Sequence, residues 1–350
     1  MKALRNLASS RVHGKQNEMK KILQFLFEHK TLSRDMAKEV LVNIGKGIYN
    51  EHEVTAFMTV YLMRSIAIEE LQGFREALLE LCVPVDLDGY DAIDIVGTGG
   101  DGKNTFNIST LSCFIVAGSG QKVAKHGNYG ASSISGASNV MEQVGYKFKN
   151  DKDKLKKEVD QANICFLHAP MFHPALKTVG PIRKNLGMRT FFNMLGPMVN
   201  PATPKFQLVG VFSLEMARIY NYLLQQTESA FTIIHGLDGY DEISLTNDTK
   251  VITNNGERIM TPEQLGKRMV EARDIQGGSS VEDAAKIFVK ILNGEGTWAQ
   301  NAVVLANAAM ALHCTGSYKG YDEAYSAAVE SLESGKARAA LKKLIELQAP

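Results

Sequence analysis

The sequence predicts an α/β protein, with a small all-helical domain followed by a large α/β domain whose mostly parallel central sheet is flanked by helices. Three observations carry this expectation. Residues from about 17 to 82 show helical periodicity and none of the two-residue alternation of strands. From about residue 91, short apolar runs bounded by glycines alternate with helix-like stretches, the pattern of a parallel sheet covered by helices. The chain has 350 residues, more than one simple core holds.

The elements follow in order. Leu23, Phe25, Leu26 and Phe27 mark a first helix. The stretch LSRDMAKEVLVNIGKG opens at Ser33, a capping residue type, and ends at Gly45. HEVTAFMTVYLMRSIA and IEELQGFREALLEL supply two more helices, and the Met and aromatic positions of this region are expected in its core. Beyond residue 91 the runs AIDIVG, QKVAKHG, ANICFLH, FQLVGVF and FTIIHG read as buried strands. STLSCFIVAGSG and LEMARIYNYLLQQT read as helices between them. VITNNGERIMTPEQLG reads as an extended excursion that re-enters a helix at Pro262. Residues 280–350 return to helices with Ala-rich faces.

Composition bounds the function. Apolar residues make up 45% and charged residues 22%, as in ordinary globular proteins. The net charge of +1 supplies no broad field to gather nucleic acid or anionic lipid, so any anion needs a local site. Cys82, Cys113, Cys165 and Cys314 lie in apolar stretches without metal-ligand spacing and read as buried thiols of a reducing compartment. The N-terminus lacks a long apolar segment, and no run approaches the ~20 apolar residues of a membrane helix. A cytoplasmic protein is expected, with no membrane partner.

The segment DIVGTGGDGKNTFNIST, 94–110, fits two phosphate-loop patterns and satisfies the context of neither. Gly97, Gly99 and Gly102 match G-x-G-x-x-G, yet the next strand ends in Lys125 where a dinucleotide site wants an acid. Gly97, Gly102 and Lys103 match most of a P-loop, yet Asn104 stands where Ser or Thr should meet magnesium. Asp101 suits ribose hydroxyls or a metal's water shell better than bare phosphate. What remains is a glycine turn that lets backbone approach a ligand, then a helix start at Asn107, Ser109 and Thr110 aimed at an anion. The plainer alternative is a tight turn between strand and helix.

Three further segments carry polar chemistry. KHGNYGASSISGASNVME, 125–142, offers Lys125, His126, Asn128, Ser132, Ser133 and Ser135 among glycines, which suits phosphate and sugar. In 173–202, Arg183 and Arg189 sit in an apolar, proline-flanked stretch. Arg183 there reads as a partner for a planar carboxylate, with a solvated surface helix as the alternative. FTIIHGLDGYDEISLT, 231–246, runs a strand into Asp238, Asp241 and Glu242, hard ligands suited to magnesium, unless the segment is only a polar turn.

Together these motifs resemble the anthranilate phosphoribosyltransferases, the tryptophan-pathway branch of a family shared with pyrimidine nucleoside phosphorylases. The likeness runs through DIVGTGGDG, TFNIST, KHGN, HPA, the Pro-Ile-Arg to Arg-Thr-x-Phe-Asn stretch, LGPMVNP and GxDGxDEIS, in order, over residues 17–345. Tyr129 stands where the family usually has Arg or Lys, and Asn139 where it has Asp. The resemblance implies a helical domain at 1–88 joined by a returning segment near 176–195, an α/β domain at 89–350, a site in the cleft between them, and a homodimer built through the helical domains. It implies transfer of the phosphoribosyl group of phosphoribosyl pyrophosphate (PRPP) to anthranilate, with two magnesium ions per site.

The resemblance also implies roles. PRPP falls to Gly97, Gly99, Gly100, Asp101, Thr105, Asn107, Ser109, Thr110, Lys125 and Ser133. Anthranilate falls to Gly97, Asn128 and Arg183, with Arg183 on its carboxylate, and Asn128, Arg183 and Lys125 form the catalytic set. Magnesium falls to Ser109, Asp241 and Glu242, the two acids forming a pair that is expected to be solvated without substrate. A pyrimidine nucleoside phosphorylase would share the fold but leave the Asp-Glu pair without a purpose. A non-catalytic nucleic-acid-binding relative would need a basic stripe, which is absent.

Overall fold

A computed structural model describes residues 18–130 and 134–348. The chain divides into two compact units: one runs up to Pro84 and takes in Pro170–Pro201, and the other holds Val85–Ala169 and the chain from Ala202 onward.

The first unit is helical. It contains α1 (18–27), α2 (Arg34–Gly45), α3 (Glu51–Met63) and α4 (Ile68–Leu81). Ser33 caps α2, its hydroxyl accepting the Met36 N–H, and Asn50 with Glu53 forms a capping box on α3. The core is aromatic: Phe57, Tyr61 and Phe74 pack edge to face, and Phe191 stacks on Phe74 at 4.6 Å. Phe191 comes from the returning segment, so that segment completes the core. Glu70 is fully buried yet satisfied, accepting from the Leu32 and Ala67 N–H groups, the Tyr61 hydroxyl and the Arg64 guanidinium. Phe57 and Met58 are buried as expected, but Phe27, Met36 and Met63 are exposed, correcting the expectation for those three.

The second unit carries a seven-stranded sheet of order β3-β2-β1-β4-β5-β6-β7. Its strands are β1 (Ile93–Gly97), β2 (Val123–Gly127), β3 (Ile164–His168), β4 (Phe206–Gly210), β5 (Ala230–Gly236), β6 (Thr249–Thr253) and β7 (Gly256–Met260). The first five pair in parallel, and they are the five apolar runs predicted. The last two form an antiparallel hairpin on β5 within the stretch expected to be extended, and Pro262 begins a run of turns, not the expected helix. Its helices are α5 (Ile108–Gly118), α6 (Ala137–Gln143), α7 (Lys152–Ala162), α11 (Leu214–Leu224), α12 (Val281–Leu292), α13 (Trp298–Cys314), α14 (Tyr321–Glu333) and α15 (Lys336–Glu346). Between them, α8 (Ala169–Phe172), α9 (Pro174–Leu186) and α10 (Phe192–Leu195) make up most of the return to the helical unit.

The apolar α5 packs on β1 and β2, and α13 on β4 and β5, while α11 covers β5 and β6. No helix among the described residues is long and apolar enough to cross a membrane. The strand order reverses between β1 and β4, which pair Gly97 opposite Gly210. Ligands of open α/β sheets bind beyond the carboxyl ends of the strands at such a switch point.

Candidate active site

The glycine loop leaves β1 at that switch point. Gly99, Gly100 and Gly102 have φ of 64°, 77° and 73°, a backbone that side chains disfavour. Gly97 and Gly210 serve a different need. A Cβ on Gly97 would collide with the Asp241 carboxylate, and one on Gly210 with the Asp241 carbonyl. The two glycines thus clear the strand ends so that the chain after β5 can cross them. Asp241 Oδ2 then accepts the Gly99 N–H at 2.7 Å.

Glu242 reaches the other end of the loop. Its Oε1 accepts the Ser109 N–H at 3.0 Å, and the Thr105 hydroxyl donates to its Oε2 at 3.4 Å. A carboxylate therefore sits on the N-terminus of α5, where the free N–H groups and the helix dipole favour an anion. Asp101 accepts the Lys103 N–H at 3.0 Å and lies beside Asp241. The loop is pinned from outside by Gly277, whose N–H donates to the Asn104 carbonyl at 2.7 Å.

The Asp241–Glu242 pair is nearly buried, each residue 8% exposed, which corrects the expectation that it is solvated. Burial, joined by the Asp101 charge, pushes the Asp241 carboxyl up to about 7. Burial and the charges of Asp241 and Asp101 push Glu242 well above its ordinary range, and burial raises Asp101 too. Carboxyls crowded in this way fit a cation. No group of three or more His, Cys, Asp or Glu able to hold a metal occurs among the described residues. The pair suits magnesium, which takes one or two carboxylates and completes its shell with water and substrate phosphate.

The second loop meets the first through Asn107, whose Nδ2 donates to the Ser135 carbonyl at 3.0 Å. Asn107 Oδ1, Ser135 Oγ and Thr98 Oγ1 are buried with no hydrogen-bond partner among the described residues. Buried polar atoms are almost always paired, so these orphans mark places for ligand or water. Thr110 is buried within α5. Asn128 is exposed beyond β2, its Oδ1 accepting the Tyr129 N–H at 2.8 Å.

Two residues of this segment depart from the sequence reading. Lys125, expected to pair with phosphate, is 2% exposed and donates to the Ile95 carbonyl at 2.6 Å, beneath the loop. His126 belongs to β2 and is buried, its N–H bonded to Asp94. Ser132 and Ser133 lie outside the described residues.

Arg183 belongs to the helical unit. It projects from α9 with its guanidinium 5.5 Å from the centre of the Phe192 ring and Nη2 3.4 Å from Asn193 Oδ1. Burial lowers its pKa, and no carboxylate pairs with it among the described residues. Arg189 is exposed.

One residue escaped the sequence reading altogether. Asn307, 2% exposed in the middle of α13, brackets Ile243: its Oδ1 accepts the Ile243 N–H at 3.0 Å and its Nδ2 donates to the Ile243 carbonyl at 2.9 Å. It thereby satisfies the irregular, buried segment that follows Glu242. The available signal was a single amide in the otherwise apolar, Ala-rich run 302–312.

Comparison with known proteins places this architecture. The a/b domain of a glycosyl transferase family matches residues 89–338, and the helical bundle domain of the same family matches residues 20–82. The chain belongs to this glycosyl transferase family. It is 60% identical over 329 residues to the anthranilate phosphoribosyltransferase of Christiangramia forsetii, covering 94% of this chain and 99% of that one. It is 59% identical over 329 residues to the enzyme of the same name from Flavobacterium psychrophilum, with the same coverage. Among solved structures, anthranilate phosphoribosyltransferase from Thermus thermophilus superposes with a TM-score of 0.87 at 29% identity, covering 93% of this chain and 99% of that one. The Saccharomyces cerevisiae enzyme in complex with PRPP and Mg gives 0.87 at 27% identity, covering 95% and 98%.

Proposed function

We propose that this chain transfers the phosphoribosyl group of PRPP to the amine of anthranilate, giving N-(5-phosphoribosyl)anthranilate and pyrophosphate, a step of tryptophan biosynthesis. The observation that carries the reading is the switch-point loop, where glycine backbone, orphaned polar atoms and the buried carboxyls of Asp241 and Glu242 line the turn from β1 to the N-terminus of α5.

Each residue then has a task. Gly97, Gly99, Gly100 and Asp101 meet the ribose and diphosphate, and Thr105, Asn107, Ser109 and Thr110 hold phosphate at the start of α5. Lys125 of β2 and Ser133 of the loop after it add charge and a hydroxyl, which requires the Lys125 ammonium to leave the Ile95 carbonyl. Asn128 and Arg183 receive anthranilate, Arg183 taking the carboxylate. The arylamine is neutral at pH 7 and already nucleophilic, so no strong base is needed. The ribose C1 gains positive character as pyrophosphate leaves, and the enzyme's contribution is to hold the reactants together, worth up to about 7–11 kcal/mol. Asp241, Glu242 and Ser109 would hold two magnesium ions, which neutralise charge on the departing diphosphate.

The reading includes a homodimer through the helical unit, supported by apolar side chains left exposed there, Phe27 at 61% and Met63 at 83%. It includes no nucleic-acid partner, in keeping with the net charge of +1. The test is direct. Purified protein mixed with PRPP, magnesium and anthranilate should extinguish anthranilate fluorescence with release of one pyrophosphate per anthranilate consumed. Undiminished fluorescence would overturn the reading.

A further inference from the structure

The loop between β2 and α6 carries Asn128, and side chains of α6 tie its limbs together. Asn139 Oδ1 accepts the N–H groups of both Gly130 and Gly136, each at 3.0 Å. The Ser138 N–H donates to the Asn128 carbonyl at 3.1 Å. The limbs touch, since a Cβ on Gly136 would lie 2.6 Å from the Tyr129 carbonyl carbon. Tyr129 fastens the same place from outside. It is 44% exposed, its hydroxyl donates to Glu142 Oε1 at 2.8 Å, and its ring meets His168 edge-on at 4.9 Å. His168 is held in turn by Ser138, with Oγ 2.8 Å from Nδ1, and by the Phe148 ring stacked at 4.5 Å. Asn128 depends on this arrangement, because its Oδ1 accepts the Tyr129 N–H at 2.8 Å.

We propose that Tyr129 and Asn139 are positioning residues that staple this loop to α6 and so fix Asn128 for the acceptor substrate. The inference rests on the transfer reaction proposed above. A phenol at 129 and an amide at 139, neither of them charged, do this fastening by hydrogen bonding and ring contact. Ordering a loop on binding consumes binding free energy, and a loop ordered beforehand spares it. Tyr129 acts only through Asn128, so its loss falls on acceptor binding and not on the chemical step.

The test is a double-mutant cycle with kinetics and amide hydrogen exchange on the full chain. Tyr129→Phe and Glu142→Ala should each raise the KM for anthranilate about threefold to tenfold, the size of one exposed hydrogen bond of about 0.5–1.5 kcal/mol. The change in kcat should stay within about twofold. Their combination should be no worse than either alone. Glu142→Gln, which keeps an acceptor, should restore the wild-type KM. In parallel, the amides of Gly130 and Gly136 should exchange faster in Tyr129→Ala than in the wild type. Additive effects in the cycle, or a fall in kcat with anthranilate KM unmoved, would overturn the inference. Unchanged exchange would overturn it even if the wild type fails to turn over PRPP and anthranilate, a failure that would by itself sink only the functional reading.

Discussion

The two units each present a candidate anion site, and they build it from opposite materials. In the α/β unit the site is backbone: left-handed glycines, helix N–H groups and two glycines in register, with buried acids in place of bases. In the helical unit it is one side chain, the Arg183 guanidinium over Phe192. A backbone site fails when a side chain is added to it, because a Cβ collides at Gly97 and Gly210 and the left-handed φ disfavours one at Gly99, Gly100 and Gly102. A side-chain site fails when one group is removed.

The acids should show the largest effect. Asp241→Asn combined with Glu242→Gln should lower kcat by roughly 100- to 1000-fold, the scale of losing a preorganised electrostatic stabiliser. High magnesium should recover part of it. The metal-free variant should melt no lower than the wild type, because the amides relieve the cost of burying like charges while their oxygens still accept from Gly99 and Ser109. A loss of melting temperature in step with activity would make the segment a structural turn.

Arg183→Ala comes next and should strike the other substrate. A lost hydrogen bond to a charged group is worth about 1.5–3 kcal/mol, so the KM for anthranilate should rise roughly 10- to 100-fold while that for PRPP holds. Arg183→Lys should not restore it, since an ammonium lacks the planar fork. Equal effects on both substrates would erase the contrast between the units.

Adding one methyl group is the smaller converse. Gly97→Ala forces the Asp241 carboxylate aside at about 1–3 kcal/mol, so the KM for PRPP should rise about tenfold, with a smaller rise for anthranilate, which Gly97 is also expected to meet. An unchanged KM for PRPP would show that the strand ends are not the binding surface.

The smallest effect is a slope with pH. The Asp241 carboxyl, at about 7 when folded and about 3.9 unfolded, holds a proton in the native state that the unfolded chain has lost. Stability without magnesium therefore falls as pH rises from about 4 through about 7. Thermal melting should show that fall, and saturating magnesium should flatten it. Arg183→Ala should leave the slope alone. A magnesium-free slope of opposite sign would contradict the burial of the acids.

The contrast also explains what the sequence made legible. Ser33 to Gly45 and Ile68 to Leu81 were readable as helices, because apolar periodicity and capping are local. Five strands ending at the sheet's functional edge were readable from apolar runs, four of them closed by glycine. The β6–β7 hairpin was not, since the edge strand GERIM exposes four of its five residues and gives periodicity nothing to register. The glycine motif announced the loop, but the burial of Asp241 and Glu242 depends on the register of Gly97 with Gly210, which pairs residues far apart in the chain. Lys125 turning inward and Asn307 bracketing Ile243 are likewise tertiary facts.

The central claim is that the switch-point loop and its carboxyls make a site for PRPP with magnesium and not for a nucleotide. Calorimetric titration of PRPP, ATP and NAD, each with and without magnesium, tests it most directly. The account predicts that PRPP binds most tightly, that magnesium strengthens its binding, and that the Asp241→Asn, Glu242→Gln variant loses that strengthening. Tighter binding of ATP or NAD, or PRPP binding indifferent to magnesium in the wild type, would contradict it.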